Sequence, residues 1–97
     1  MKYYLYIIKT IDNTLYCGIA LDVKKRFEQH LNSKLGAKYL KAHRPKEIVY
    51  IDCLEDKSCA LKEEIRIKSL TKKAKIELIE SKRKETKIFL EKIFQEC

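Results

Sequence analysis

The chain has 97 residues, 45% of them hydrophobic, which suits one modest core and excludes both a multidomain arrangement and a disordered basic tail. Twenty-two Lys and Arg against 14 Asp and Glu leave a formal charge of +8; on so small a surface this favours a polyanionic partner such as nucleic acid, with a solvated lysine-rich surface as the plain alternative. The N-terminus is too short and too aromatic for a signal peptide and no apolar run approaches membrane-spanning length, so the expectation is a cytoplasmic protein with no membrane partner.

Tyr3 to Lys9 and Leu15 to Ala20 are rich in β-branched and aromatic residues and flank Ile11-Asp12-Asn13, which predicts a hairpin. If the connection is a type I turn followed by Asn13 in the left-handed region, Thr10 faces Thr14, Tyr6 faces Gly18 and Ile8 faces Tyr16. Both tyrosines then share a sheet face; a two-residue turn would split them. Cys17 and the other cysteines, Cys53, Cys59 and Cys97, form no Cys-x-x-Cys pair and have only His30 and His43 as companions. They read as packing residues and free thiols in a reducing cytosol, not as a zinc site.

Asp22 is a predicted N-cap for a helix through about Asn32, with Val23, Phe27 and Leu31 as the buried stripe and Arg26 and His30 stacked beside it. Ser33-Lys34-Leu35-Gly36 reads as a loop, Ala37 to Ala42 as a short helical turn, and Pro45 as its end. Lys46 to Cys53 is a third strand. Asp56 or Ser58 caps a helix to about Leu70 with Cys59, Ala60, Ile65, Ile67 and Leu70 as apolar contacts. Thr71 caps the next, Lys72 to about Glu80, with Ile76 and Ile79 inward. Ser81 to Cys97 is charged with Ile88, Phe89, Leu90, Ile93 and Phe94 clustered late, which predicts a C-terminal amphipathic helix. No repeat, low-complexity tract or linker interrupts the chain.

Four short segments occur in order: Tyr4-Leu5-Tyr6, Leu15-Tyr16-Cys17-Gly18, Arg26 with His30 one helical turn on, and Ala60-Leu61-Lys62-Glu63-Glu64. Their order and spacing resemble the GIY-YIG nuclease family, specifically its small stand-alone, UPF0213-like branch, and the resemblance runs from about Tyr3 to Glu80. Ser33 to Tyr39 resembles the branch's Ser-Gly-Lys-Gly-Ala-Lys-Tyr loop, with Arg44-Pro45 following; Leu35 replaces one of the usual glycines and Asn32 the small residue at its start. The resemblance implies an α/β (α+β) fold, a three-stranded antiparallel sheet flanked by helices, with residues 1–80 as the nuclease domain and 81–97 as a helix packed on it or extending it.

Hydrolysing a phosphodiester requires a nucleophilic water, stabilisation of the charged transition state and help for the departing 3′ oxygen. The resemblance implies Tyr16 as general base, Arg26 as the contact to the scissile phosphate and Glu64 as ligand to one Mg2+ or Mn2+ ion, with Tyr6 and His30 in support. An ordinary phenol has a pKa near 10, so about one part in a thousand is phenolate at pH 7; adjacent cations and a metal-lowered water pKa ease that difficulty. His30 has three open roles: a hydrogen bond to Tyr16, a relay for its proton, or support of the helix–sheet junction. Glu63 competes locally with Glu64, but the Ala60-Leu61-x-x-Glu pattern selects Glu64. One carboxylate suits magnesium, which keeps several waters beside one or two carboxylates and a substrate phosphate.

Gly18, Lys38, Tyr39 and Lys68 are candidate DNA contacts, Lys38 for phosphate and Tyr39 for stacking on an unpaired base. Each has a plainer reading as packing or as solvated charge. The chain reads as a DNA endonuclease that favours single-stranded or branched substrates and uses no small-molecule cofactor, with oligomeric state left open. The alternatives are a nucleic-acid-binding module of the same fold with little catalysis, and an interaction protein using its C-terminal helix. Presence of all five matched polar residues favours the enzyme.

Overall fold

The computed structural model describes residues 1–32 and 38–95. The predicted loop at Ser33 to Gly36, with Ala37, and the thiol of Cys97 lie outside them. The elements run β1 (Tyr3–Thr10), β2 (Leu15–Ala20), α1 (Val23–Leu31), α2 (Lys38–Ala42), β3 (Pro45–Leu54), α3 (Lys57–Lys68), α4 (Lys72–Ser81) and α5 (Arg83–Ile93). The sheet is antiparallel, in the order β2-β1-β3, so β2 is an edge.

Turn chemistry fixes the hairpin. Asn13 adopts φ 64°, a region an asparagine tolerates better than most residues. Its N–H donates to the Thr10 carbonyl at 3.0 Å while the Thr10 N–H donates to the Thr14 carbonyl at 3.0 Å. The register that follows pairs Tyr6 with Gly18 and Ile8 with Tyr16, as expected for a three-residue connection.

Alternate residues of the strands feed two cores. Tyr6, Ile8, Ile48 and Ile51 point toward α1, α2 and α5; Leu5, Ile7, Cys17 and Tyr50 point toward α3 and α4. Ile48 and Ile51 share a face despite an odd separation because the pairing steps from Ile7↔Tyr50 to Ile8↔Ile48, leaving Val49 as an extra residue. Pro45 opens β3, at a strand start where its missing N–H breaks no ladder. α5 packs Phe89 on Tyr4 at 5.4 Å and Phe94 edge-on to Phe27 at 6.1 Å, and the Thr86 hydroxyl accepts from the Ile51 N–H at 3.4 Å.

Helix caps agree with the sequence: Asp22, Asp56 and Thr71 each accept a backbone N–H three residues on. Three predicted stripes need correction. In α1, Leu31 is 43% exposed and His30 is buried in its place. At about 100° per residue, seven positions after Val23 fall about 20° short of its direction and eight overshoot by about 80°, so His30 faces inward. In α3, Ala60 and Ile67 are the buried positions, with Leu70 packed beyond the end, whereas Cys59 and Ile65 are exposed. In α4, Leu78 and Ile79 pack inward and Ile76 is exposed. Ile88 of α5 is also exposed.

Candidate active site

Hairpin register and the inward turn of α1 bring Tyr6, Tyr16 and His30 together. The Tyr6 hydroxyl is 2.8 Å from His30 Nε2, and both residues are 2% exposed. Tyr16 lies beside them, its ring centroid 6.5 Å from Tyr6 and edge-on to His30 at 5.5 Å. Burial raises the Tyr6 phenol well above its usual range, with Tyr16 next in effect; Arg26 opposes both by its charge and by a hydrogen bond to the phenol. Burial also lowers His30 to about 4, helped by the Arg26 charge. At neutral pH the pair is therefore a protonated phenol and a neutral imidazole. One of the two donates across the 2.8 Å contact and the other accepts, the direction following the imidazole tautomer. His30 thus holds a hydrogen bond to Tyr6 and an edge-on ring contact to Tyr16 at the helix–sheet junction.

Gly18 serves this cluster by lacking a side chain. A Cβ there would lie 2.6 Å from the Tyr6 hydroxyl oxygen and 3.2 Å from the Tyr16 ring, so the space is filled by the Tyr6 phenol. Its φ is not positive; the requirement is close approach, not an unusual backbone.

Arg26 donates from Nη1 to Gln29 Oε1 at 2.9 Å, which steers the guanidinium along α1. Tyr39 of α2 stacks on Tyr16, centroids 6.0 Å apart and 21° from parallel, and on His43 at 4.4 Å and 24°. His43 Nδ1 is 2.6 Å from Asp12 Oδ2, and Asp12 also accepts from the buried Thr10 hydroxyl. Those hydrogen bonds, Thr10 first and His43 second, hold the Asp12 carboxyl below its ordinary range. Thus a strut from the hairpin turn through His43 and Tyr39 ends on Tyr16. Sequence reasoning assigned Asp12 only to the turn and missed its pairing with His43, which joins residues 31 apart in the chain. Lys38 begins α2, exposed.

Glu64 belongs to the other layer. It lies on α3, its side chain 18% exposed and ion-paired to Lys68 at 3.3 Å. After burial itself, the Glu64 charge is the largest influence raising the Cys17 thiol, which is pushed up to about 12. Cys17 alternates with Tyr16 and faces α3, so Glu64 lies against β2 from the side opposite the tyrosines. Glu63 is engaged by Arg66 at 2.8 and 2.9 Å. Its carboxyl is held low by that bond, and its charge acts on Tyr50 of β3. The two glutamates thus have different partners, Glu64 pairing with Lys68 and Glu63 with Arg66. Lys68, expected on DNA, has Glu64 as a partner. Among the described residues no three His, Cys, Asp or Glu side chains converge to cage a metal. A lone, partly exposed carboxylate does fit a hydrated magnesium completed by phosphate oxygens.

Among the described residues, no helix is long and apolar enough to cross a membrane. The family profile of the GIY-YIG catalytic domain matches residues 2–77. A UPF0213 protein of Staphylococcus saprophyticus is 45% identical over 78 residues, covering 80% of this chain and 94% of that protein. One from Syntrophus aciditrophicus is 38% identical over 78 residues, covering 80% and 90%. The solution NMR structure of a UPF0213 protein from Bacillus halodurans superposes with a TM-score of 0.58 at 28% identity, covering 94% of this chain and 96% of that one.

Proposed function

The chain belongs to the GIY-YIG catalytic-domain family, a nuclease family, and from that premise we propose that it is an endonuclease hydrolysing DNA phosphodiesters with one divalent ion. The observation that carries this reading is the convergence of Tyr6, Tyr16 and His30 on one sheet face, with the Arg26 charge acting on both Tyr6 and His30. A fully hydrophobic helix–sheet junction would be simpler to build, since each buried polar group must find a partner. Retaining hydroxyls and an imidazole there supports a chemical use.

In this reading Arg26 grips a nonbridging oxygen of the scissile phosphate, its planar fork complementing the charge that grows in the transition state. Tyr16 takes the proton of the attacking water. Tyr6, fixed to His30 and touching Arg26, orients the guanidinium and stays protonated. Glu64 holds the ion, Mg2+ or Mn2+, which when bound supplies Lewis-acid stabilisation of the phosphate and the departing oxygen. In this reading the phosphate sits against β2, with Tyr16 on one side of that strand and Glu64 of α3 on the other. Lys38 and the rim of Tyr39 extend the contact to neighbouring nucleotides, residues 1–80 carry the site, and residues 81–97 act as a buttress behind it. We place the activity in the cytoplasm.

Purified protein with magnesium, offered matched single-stranded, duplex and flap DNA, provides the test. Cleavage that disappears in Glu64→Ala, with folding and weak DNA binding intact, is the expected result. Cleavage unchanged in that variant removes Glu64 from the mechanism; binding without cleavage of any substrate leaves a nucleic-acid-binding module.

A further inference from the structure

Where β2 leaves the sheet and the chain turns into α1, an open cleft of about 390 Å³ lies over the strand end. Lys25, Arg26 and Gln29 of α1 line it, Lys57 reaches it from the start of α3, and Tyr3 and Leu21 add apolar surface. Asp22 also borders it, but its carboxylate accepts the Lys25 backbone N–H at 3.0 Å, and three cations outnumber it. The volume falls in the range of about 300–1,000 Å³ that accommodates small organic ligands. That is room for one nucleotide. Arg26 belongs both to this cleft and to the tyrosine cluster, so whatever fills the cleft adjoins the phosphate that Arg26 would grip.

Building on the nuclease reading, we propose that the cleft is the subsite for an unpaired nucleotide flanking the scissile phosphate, with its phosphate held by Lys25 and Lys57 and its base against Tyr3 and Leu21. The chemistry of the walls matches the two halves of such a ligand: exposed ammonium groups for the phosphate, and an aromatic ring with an exposed leucine for the base. A strand lying here would be single where it passes the site.

The test is binding of a short labelled oligothymidylate and of a matched duplex, by anisotropy across a salt series. The proteins compared are the native chain, Lys25→Glu/Lys57→Glu, and a control reversing the exposed α5 residues Lys84 and Lys87. Both doubles lower the formal charge equally, from +8 to +4. The cleft pair is also structurally benign, since it puts acids in the first turns of α1 and α3, one of them three residues after the Asp22 cap. Its melting temperature should not fall.

We expect the cleft pair to lose roughly tenfold or more in single-strand affinity, with the slope of log affinity against log salt shallower by about 1.4. The control should lose less than about threefold on the same scale, and an abasic oligomer should bind the native protein more weakly. Equal losses in the two doubles, or none in the cleft pair, overturn the subsite while leaving cleavage to speak for the nuclease reading. Absence of binding to any oligonucleotide by the native protein overturns both.

Discussion

The two faces of the sheet are built from alternate residues of the same strands, yet they differ in kind. Toward α3 and α4 the buried set is Leu5, Ile7, Cys17, Tyr50 and Ile67, mostly aliphatic, with the Lys82 ammonium 5.8 Å from the Tyr50 ring centroid. Toward α1, α2 and α5 the sheet buries Tyr6 against His30 and seats Tyr16 beneath Tyr39. Among the described residues no buried side-chain N or O lacks a partner, so this polar face escapes the cost of orphaned groups, though it gains less than a face of the same shape filled with methyls. Beneath α3 the sheet itself is apolar scaffold, with the proposed metal ligand Glu64 contributed by the helix, whereas the other face trades part of that stabilisation for positioned hydroxyls and charge.

The contrast predicts opposite phenotypes. Ile67→Ala should cost roughly 2–5 kcal/mol in denaturant-measured stability, the usual range for emptying a buried aliphatic site, while the folded fraction keeps its turnover. Tyr16→Phe keeps the ring and its stack on Tyr39, so stability should barely move while turnover falls about 100-fold or more if the hydroxyl is the general base. Near-normal turnover in Tyr16→Phe would make both faces scaffold.

The polar face should also be the acid-sensitive one. His30 is held neutral, its pKa lowered from 6.5 to about 4, so between those values the unfolded chain binds the proton and the folded chain does not. Its contribution is therefore complete above about pH 6.5 and declines as pH falls toward 4, by on the order of 3 kcal/mol. His30→Gln retains an acceptor for Tyr6 and does not titrate. Stability measured against pH for both proteins should diverge across that window; parallel curves would mean that His30 protonates freely in the fold.

Gly18 offers a third comparison, with its neighbour Cys17 on the other face. A Cβ at Gly18 meets the Tyr6 hydroxyl oxygen at 2.6 Å, and relieving that overlap means breaking the Tyr6–His30 bond or bending β2. Gly18→Ala should cost about 1–3 kcal/mol through overpacking and disturb turnover as well. Cys17→Ala should affect stability alone. Equal turnover in the two variants would show that Tyr6 can move without consequence.

The sequence made some of this difference legible and concealed the rest. Hairpin register was readable because turn chemistry is local: one asparagine with positive φ decides which face both tyrosines occupy. Three helix caps were readable for the same reason. His30 was misplaced relative to Leu31 because apolar identity favours leucine for the core, whereas helix geometry and a partner in Tyr6 turned the histidine inward. The extra residue at Val49, which lets Ile48 and Ile51 share a face, depends on the bulged pairing with β1 and leaves no local signature. Nor could spacing reveal that Glu64 approaches β2 from the side opposite Tyr16, since that depends on how α3 lies across the sheet.

The smallest effect expected is at the strut, and it separates two ways of holding Tyr16. His43 touches Tyr39 by stacking and Asp12 by a 2.6 Å hydrogen bond, so His43→Ala removes both and His43→Phe only the second. An aromatic stack contributes about 0.5–1.5 kcal/mol beyond its buried area, which bounds the loss in turnover at roughly threefold to tenfold if all of it serves to seat Tyr39 over Tyr16. Phenylalanine should then restore most of the turnover that alanine loses, with KM unchanged in both. If His43→Phe is as slow as His43→Ala, the stack is incidental, and the bond to Asp12, anchored through Thr10 in the hairpin turn, keeps Tyr16 in place.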